Sequence, residues 1–471
     1  MEGNKKCSRD VISTLPDNVR CRILAFLTTK EAALALFLSK RWSNLLQLVP
    51  ILDFDDSASQ HSRVGPKRIL VFKMFVDSVL KRRFENSSSP VKKVSLRLSN
   101  EHIRRHVVIG WIQKIMDHGA LELTLRFDYD RVFTLPFKVL TSQALVHLRI
   151  GSRIRLLPPR PDSVSPMLNS LVLDSVDYVD ATLSLEPILS TFPNLHNLRI
   201  HESKEWYYWD GSVSSQTLER LVYRRDDDSS SPKPCVTFDT PGLVYLEYSD
   251  VVADKYENLR LDSLVEVRLD LQLTGDQILR KNAAKDSVGY VPGDVSKLFT
   301  GIKNVKILCL SPNALDTLYY RGGRSILVFN NLICLSLGSD RPYGGSPYIF
   351  WRLLPYLLLS SINLQTLIIK GLVHYAKQAW EGVWIQPISW DDVSESLSSC
   401  GVKVLQISGY EGTGEELSHM ERFLGKLSRL EMVRVTHEGV DDGERRRLVN
   451  DLLLLPKASP KCMVQVVEES A

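Results

Sequence analysis

A short apolar motif of the form L-x-x-L-x-L, with other aliphatic residues allowed, recurs through most of this chain of 471 residues. Its clear copies begin at Leu145, Leu168, Leu195, Leu218, Leu243, Leu264, Val305, Leu332 and Leu364, and weaker copies begin at Val91, Ala120, Val402 and Leu430. From Leu145 to Leu264 the copies start at sequence intervals of 23, 27, 23, 25 and 21. These intervals are typical of leucine-rich repeats, whose period is about 20 to 29 residues.

The physics of the motif predicts the fold. The L-x-L end is a short strand whose two aliphatic side chains point inward, while the residues beside them face outward on a concave sheet. One strand cannot bury this face alone, so neighbouring copies must stack. The longer intervals, from Leu264 to Val305 and from Leu364 to Val402, indicate inserted helices or loops. We therefore predict an α/β fold, an irregular solenoid with a parallel concave sheet and with helices and loops outside.

Residues 10–50 follow a different pattern, because three short helical signals occur there without any strand-like alternation. Pro16 and Asp17 suit the start of a first helix. Thr28 and Glu31 fit a capping box that begins a second helix. Ser39 can cap a third helix, which Pro50 ends. These three helices bury little core by themselves, so they form either a helical cap on a larger domain or a docking module that a partner completes.

At this point the residues resemble a known family. The segment 10–56 looks like a plant F-box, with L-P at Leu15-Pro16, I-L-x-F-L at Ile23 to Leu27, T-K-E-A at Thr29 to Ala32 and L-S-K-R-W at Leu38 to Trp42. Residues 402–438 and 452–466 resemble the FBD region that closes many of these proteins. The chain is thus similar to plant F-box/leucine-rich-repeat proteins with a C-terminal FBD region.

The resemblance and the repeats together predict four regions. Residues 8–56 are a small all-helical F-box, and residues 57–90 are a linker with an amphipathic helix near Ile69 to Phe84. Residues 91–390 are the leucine-rich-repeat solenoid, and residues 391–468 are the FBD region that closes it.

The resemblance implies a substrate-recognition subunit of an SCF-type (Skp1, cullin and F-box) E3 ubiquitin ligase. Such a subunit is a non-catalytic adaptor that binds a Skp1-like protein, and through it a cullin, and that holds an unknown target protein on its repeats. The alternative is a leucine-rich-repeat scaffold or small-molecule sensor that uses Skp1 only as a stabilising partner. The positions that match the family's Skp1-binding motif are Leu15, Pro16, Ile23, Leu24, Leu27, Leu34, Leu38 and Trp42, of which some must be internal core.

Composition excludes several other classes of function. Lys and Arg number 59 and Asp and Glu 55, and a net charge of +4 is too small for this length to indicate nucleic acid or an anionic membrane as the main partner. The seven cysteines include no C-x-x-C pair, so a zinc site is not indicated. No apolar stretch is long enough to span a bilayer. We expect an intracellular protein, nuclear, cytoplasmic or both, without a cofactor or metal.

Two local patterns mimic catalytic or ligand-binding motifs. His102 and His106 stand four residues apart, but the run H-I-R-R-H lacks the glutamate of a zinc-binding helix, which favours a solvated helix face. Residues 409–414 are glycine-rich, yet no Lys-Ser/Thr follows, so this segment is predicted to be a loop.

The outward strand positions are the better place to look for target binding. Basic residues cluster in two neighbouring copies, and we hypothesise that Arg199, Arg220 and Arg224, beside His201, receive an acidic or phosphorylated target segment. The alternative is a solvated charged sheet. The aromatic run Trp206 to Trp209 follows one of these strands and is either an anchor for a partner or a cluster that packs onto the edge of the array.

Overall fold

The computed structural model describes residues 15–35, 49–57, 65–85, 91–99, 102–128, 131–157, 164–178, 185–202, 209–226, 231–283, 293–320, 328–338, 347–372, 390–437 and 442–468. The chain divides into two compact units, Met1–Trp209 and Asp210–Ala471.

The first unit alternates helices and strands. Its helices are α1 (Asp17–Phe26), α2 (Thr29–Ala35), α3 (Gly65–Glu85), α4 (Arg105–Asp117), α5 (Phe137–Leu140) and α6 (Glu186–Thr191). Its strands are β1 (Ile51–Asp55), β2 (Lys93–Leu98), β3 (Glu122–Phe127), β4 (Phe133–Thr134), β5 (His147–Gly151), β6 (Ile154–Leu156), β7 (Ser170–Asp174), β8 (Asp177–Tyr178) and β9 (Asn197–Glu202).

The second unit continues the alternation. Its strands are β10 (Ser212–Ser214), β11 (Arg220–Arg225), β12 (Val236–Asp239), β13 (Tyr245–Val251), β14 (Tyr256–Arg260), β15 (Glu266–Gln272), β16 (Ile307–Leu310), β17 (Cys334–Gly338), β18 (Thr366–Lys370), β19 (Val404–Ser408), β20 (Met432–His437) and β21 (Met463–Glu468). Its helices are α7 (Gly275–Ala283), α8 (Ser296–Gly301), α9 (Pro312–Tyr320), α10 (Pro347–Leu359), α11 (Trp390–Ser399), α12 (Gly414–Lys426) and α13 (Asp442–Leu454).

Each unit is built on a ladder of parallel strands. In the first unit the order is β1-β2-β3-β5-β7-β9, and the short strands β4, β6 and β8 form a separate sheet. In the second unit the order is β11-β13-β15 followed by β16 through β21, and β10, β12 and β14 form a separate sheet. The α/β fold class with a parallel repeat sheet is therefore confirmed.

The motif positions coincide with the strands of the ladders. Every copy found in the sequence, clear or weak, starts a strand two residues after its own first residue. The first residue of each clear copy is buried, and so are the two apolar residues at the ends of its L-x-L segment, whereas the residues between them are at least partly exposed in most strands. This alternation is expected because successive side chains of a β-strand point to opposite faces of the sheet.

The turn into each strand is tied to the preceding copy through the backbone. The N–H groups of Val146 and His147 both donate to the carbonyl oxygen of Leu121, at 2.8 and 3.0 Å. The N–H groups of Asn169 and Ser170 repeat this arrangement on Val146, at 2.9 and 3.1 Å. Because the turns stack in this way, strands from copies of different length keep a common register.

The structure differs from the predicted linker at residues 57–90. Strand β1, which the prediction assigned to the F-box, pairs in parallel with β2 and begins the ladder. Helix α3 includes the predicted amphipathic helix and connects these two strands. Its side chains Val76, Val79 and Leu80 are buried, and Asp77 accepts a hydrogen bond from the Trp111 indole at 2.7 Å. Within this segment, residues 65–85 thus form a packed helix between two paired strands.

The long motif intervals contain inserted helices, as the sequence predicts. The interval from Leu264 to Val305 holds α7 and α8, between β15 and β16, and the interval from Leu364 to Val402 holds α11, between β18 and β19. The segment that resembles an FBD region continues the same architecture, because β19, β20 and β21 are joined by α12 and α13.

Gly211, at the start of the second unit, lies close to the backbone just before β12, in the small sheet of β10, β12 and β14. Gly211 has a φ of +102°, and a Cβ atom there would lie 2.3 Å from the carbonyl oxygen of Cys235. We expect Gly211→Ala to lower the free energy of unfolding by at least about 2 kcal/mol, measured by denaturant titration. The control is Gly425→Ala in α12, where nothing lies within 4 Å, and this change should be neutral or stabilising by up to about 1 kcal/mol. Equal effects of the two changes would contradict the packing.

A buried histidine makes stability depend on pH. The His419 ring in α12 is 5% exposed and stacks on Trp351 of α10, with ring centroids 4.5 Å apart. Burial, together with the charge of Arg422, lowers the pKa of His419 from 6.5 to about 4. The unfolded chain therefore binds a proton at a higher pH than the folded chain does, so this contribution to stability is lost as the pH falls from 6.5 towards 4.

We expect the free energy of unfolding to fall by about 2 kcal/mol between pH 7 and pH 5 on account of His419. His419→Phe keeps a planar ring against Trp351 but cannot titrate, so this part of the pH dependence should disappear. Denaturant unfolding at pH 7, 6 and 5 measures both proteins, and parallel curves for the two would rule out His419 as the source.

Candidate docking and target-binding surfaces

Helix α1 has a buried side and an exposed apolar side. Pro16 precedes it, and Asp17 lies in its first turn, where a carboxylate complements the helix N-terminus. Leu24 is fully buried. Val19, Ile23 and Phe26 follow one another at helical spacing, which places them on one side of the helix. All three are at least a third exposed, and Phe26 is 91% exposed.

Helix α2 begins with the predicted capping box. The Thr28 N–H donates to the Glu31 carboxylate at 2.9 Å, and the Glu31 N–H donates to the Thr28 hydroxyl at 3.2 Å. The first of these bonds, together with the Thr28 hydroxyl, lowers the pKa of Glu31. Within α2, Ala32 is fully buried and Leu34 is 59% exposed. The Thr29 hydroxyl accepts a hydrogen bond from the Asp53 N–H at 2.6 Å, which ties this helix to strand β1.

The residues predicted to bind Skp1 therefore fall into three groups. Pro16, Ile23, Leu27 and Leu34 are exposed, and Leu15 is half-buried. Leu24 belongs to the internal core, as the sequence argument required for some members. The remaining two positions, Leu38 and Trp42, lie outside the described residues.

Phe26 is an exposed residue that the sequence argument left out. It stands inside the I-L-x-F-L run, at a position that was not carried over from the family resemblance. The helical phase could have identified it. Phe26 follows Val19 by seven residues and Ile23 by three, which places all three on one side of the helix, whereas its offset of two from Leu24 places it on another side. A phenylalanine side chain that is almost fully exposed to solvent is unusual, and together with adjacent exposed apolar side chains it indicates an interaction site.

The outward face of each ladder is here called its open face. On the open face of the first ladder, residues in register on neighbouring strands form rows that cross the strands. The Asp53 row comprises Asp53, Ser95, Thr124, Arg149, Val172 and Arg199. The Asp55 row comprises Asp55, Arg97, Arg126, Gly151, Asp174 and His201.

Opposite charges are paired along the Asp55 row. Asp174 Oδ1 lies 3.0 Å from the His201 Nδ1 atom, and Asp174 Oδ2 lies 3.7 Å from the Arg126 guanidinium. The hydrogen bond to His201, then the charges of His201, Arg126 and Arg149, lower the pKa of Asp174, although burial opposes them. At the other end, Arg97 lies 3.5 Å from Asp55.

The two rows, together with Lys93, line a cavity of about 340 Å³ on the open face of the first unit. Its base is made of small residues, Ser95, Thr124 and Gly151, and its polar walls contain four cations and three carboxylates. The cations are Lys93, Arg97, Arg126 and Arg149, and the carboxylates belong to Asp53, Asp55 and Asp174. A floor of small side chains between long charged ones leaves room for a polar group to enter.

The open face of the second unit carries a comparable cavity of about 330 Å³ between β11 and β18. Several of its charged side chains already have hydrogen-bond partners on neighbouring residues. Arg224 donates to the Glu247 carboxylate. Asp270 accepts hydrogen bonds from Ser249 at 3.3 Å, Ser311 at 2.5 Å and Asn313 at 3.2 Å.

The predicted arginine patch is divided between the two units. Arg199 and His201 lie on β9, and Arg220 and Arg224 lie on β11. The Arg220 guanidinium lies over the Tyr245 ring, 3.5 Å from its centroid, and burial with a hydrogen bond to Glu247 raises the pKa of Tyr245 to about 12. Because Arg220 and Arg224 already contact an aromatic ring and a carboxylate, they are less available to an anionic segment than the sequence suggests.

The aromatic run has one described member among the two tryptophans proposed for target binding. Trp209 is 1% exposed, and its backbone N–H donates to the Glu202 carboxylate at 2.7 Å. For Trp209 alone, this burial matches the alternative of packing onto the array. Trp206 lies outside the described residues.

The patterns that mimic ligand-binding motifs have structural roles or lack a site. The glycine-rich segment 409–414 is a loop that leads into α12, and Thr413 and Glu416 form the capping box of that helix. Within the described ranges, no group of three or more His, Cys, Asp or Glu side chains is placed to hold a metal ion. No helix among the described residues is long and apolar enough to cross a membrane.

Comparison with known proteins agrees with the repeat ladder and the N-terminal helices. Residues 12–54 match the family model "F-box domain". The chain is 57% identical to the F-box protein At3g59150 of Arabidopsis thaliana, over the whole of both chains. The chain belongs to the F-box/LRR-repeat protein family. The F-box/LRR-repeat protein At2g42720 of the same plant is 38% identical over 97% of this chain and 100% of its own length.

The C-terminal resemblance also has a counterpart among the relatives of this F-box/LRR-repeat protein. A putative F-box/FBD/LRR-repeat protein of Arabidopsis thaliana, At3g59240, is 35% identical over 99% of this chain and 91% of its own length. The recognition of the family from sequence is thus confirmed.

Two neighbouring residues of the F-box test the division between core and surface. We expect Leu24→Ala to lower the free energy of unfolding by about 2 to 5 kcal/mol, because it opens a cavity at a fully buried site. Phe26→Ala should change it by about 0.5 kcal/mol or less, because that side chain is exposed. Urea unfolding of the two variants measures the difference, and a larger loss for Phe26→Ala would reverse the assignment.

Proposed function

We propose that this F-box/LRR-repeat protein is the substrate-recruiting subunit of an SCF-type ubiquitin ligase. The F-box would bind a Skp1-like protein, and through it a cullin, while the repeats would hold a target protein. The observation that carries the proposal is the set of exposed apolar side chains on α1 and α2, within the segment that matches an F-box domain.

Energetics favour a protein partner for these side chains. Val19, Ile23, Phe26 and Leu34 gain little from the fold of this chain in their exposed positions, and burying a phenylalanine contributes about 1.5 to 3 kcal/mol. Aromatic side chains that enter a partner's pocket often dominate an interface. We therefore assign Phe26 as the anchor, with Ile23, Leu27 and Leu34 beside it, and Leu24 as the core residue that holds α1 in place.

In this proposal the chain is a non-catalytic adaptor. The chemistry of ubiquitin transfer would take place on other subunits, and the adaptor would raise the effective concentration of a target's lysine beside the charged conjugating enzyme. The open faces suit the second part of this role, because they carry polar and charged side chains on strands whose buried sides fix their spacing.

A binding experiment tests the docking part. We expect Phe26→Ala combined with Leu34→Ala to weaken binding of a Skp1-like protein by about tenfold or more, measured by titration of the purified full chain. The matched control is Val71→Ala, which removes a comparably exposed aliphatic side chain from α3 rather than from α1 or α2 and should leave binding unchanged. Equal affinities for the double variant and the control would overturn the docking site.

Recovery of a cullin separates the ligase from a scaffold. A native purification of the tagged chain should recover both a Skp1-like protein and a cullin, and the double variant should lose both. Recovery of the Skp1-like protein without any cullin would instead favour the scaffold role.

A further inference from the structure

The last strand of the second ladder, β21, is paired on one side only. The order of strands ends with it, and β20 is its partner. The Met463 N–H donates to the Glu431 carbonyl oxygen at 3.0 Å. Because the backbone hydrogen-bonding groups of successive residues in a strand point to opposite sides, those of Val464, Val466 and Glu468 point away from β20. The outer edge of β21 therefore presents backbone donors and acceptors to a further strand.

The core of the last repeat is incomplete at this edge. Val464 lies in register with Val433 of β20, which is fully buried, whereas Val464 itself is only half-buried. The first ladder begins differently, because Leu52 of β1 is fully buried and the Asp53 N–H donates to the Thr29 hydroxyl of α2. Helix α2 thus covers the starting edge, while no strand among the described residues pairs with the outer edge of β21.

Helix α13 flanks the outer edge of β21 with aliphatic side chains. Arg445 of this helix lies 3.5 Å from the Val466 carbonyl oxygen, at the long limit of a hydrogen bond, and its side chain is exposed. Val449 and Leu453 follow Arg445 at intervals of four residues, so all three lie on the side of α13 next to this edge. Val449 is half-buried and Leu453 is 51% exposed. In a longer array, the helix of a following repeat would cover these two side chains.

We propose that this end surface, formed by the outer edge of β21 and by Val449 and Leu453 of α13, pairs with the same surface of a second copy of the chain. The two β21 strands run antiparallel about a two-fold axis at Gln465, so that the two sheets become one. This inference goes beyond the proposed function and does not depend on it.

The sequence of β21 is complementary to itself in this register. Val464 stands opposite Val466 of the second copy, and both side chains lie on the inward face of the ladder. These are residues whose backbone groups point outward, so each opposite pair can exchange two hydrogen bonds. Met463 stands opposite Val467 on the open face, where both are exposed in the single chain. Apolar pairs on both faces of the sheet stabilise such a contact.

The covered edge of β1 favours a closed dimer over an open chain of copies. A head-to-tail arrangement would need the edge of β1, where the Asp53 N–H is already bonded to Thr29. A contact between two identical edges closes after two copies. Its two-fold axis is perpendicular to the sheet, so the two α13 helices lie on the same side of it and Leu453 of each copy becomes covered.

Sedimentation velocity of the purified full chain tests the pairing. We expect a monomer–dimer equilibrium in which the dimer predominates at about 50 μM. Leu453→Glu should weaken the dimer by about tenfold or more, because it places a charge in the contact. The matched control is Leu454→Glu, at the neighbouring residue on a different side of α13. Leu454 is 84% exposed, and this change should alter the dissociation constant by less than about twofold.

Two changes at one position test the strand edge. Val464→Pro removes an outward N–H group without taking a hydrogen bond from β20, and it should abolish the dimer. Val464→Ala keeps that N–H group and should weaken the dimer by only a few-fold. Hydrogen exchange of residues 462–468 in the unaltered chain should slow as the dimer forms, which assigns the contact to β21. Far-UV circular dichroism checks that each variant remains folded.

A chain that stays monomeric at about 100 μM would overturn the proposal, even if a different protein were found to bind this edge. A dimer that is equally stable in Leu453→Glu and Val464→Pro would overturn it as well. The result is independent of the docking experiment. Both variants should bind a Skp1-like protein as the unaltered chain does, because α13 and β21 lie outside α1 and α2.

Discussion

Contact between aliphatic side chains of successive strands is the interaction on which both units depend. In the second unit, Leu335, Leu367, Leu405 and Val433 lie in register on four neighbouring strands, and each is fully buried. Each strand has only two or three such inward residues, which is too few to stabilise it alone. The outward residues, the connecting helices and the cavities are all positioned by this shared core, so their spacing is regular even where the loops differ in length.

The sequence predicts the ladders well because the motif reports both burial and strand phase. It missed the first strand for a reason of context, since Val49, Leu52 and Phe54 fit the same motif but follow directly on the F-box signals. The short strands β4, β6 and β8 were missed because two or three residues carry too little periodicity. Phe26 was not among the predicted docking residues, although its helical phase places it on the same side of α1 as the exposed Val19 and Ile23.

The candidate target-binding residues show a different limit. Strand phase identified Arg199, Arg220 and Arg224 as outward, but their partners stand on neighbouring strands a full repeat away in sequence, where only register decides which side chains meet. Glu247 and Tyr245 engage two of these arginines. Lys93 and Arg149 line the cavity of the first unit, yet they belong to copies other than the two that carried the predicted arginine patch.

The hydrogen bond between Thr29 and Asp53 has a mechanical consequence. It fastens the second F-box helix to the first strand of the ladder, and α3 fills the connection from that strand to the next. Helix α2 is therefore joined to the first repeats by direct contact as well as by the chain. In the proposed ligase, a protein held on those repeats would be presented at a set distance and angle from the partner of the F-box. This spacing would determine which lysines of the bound protein can reach the conjugating enzyme.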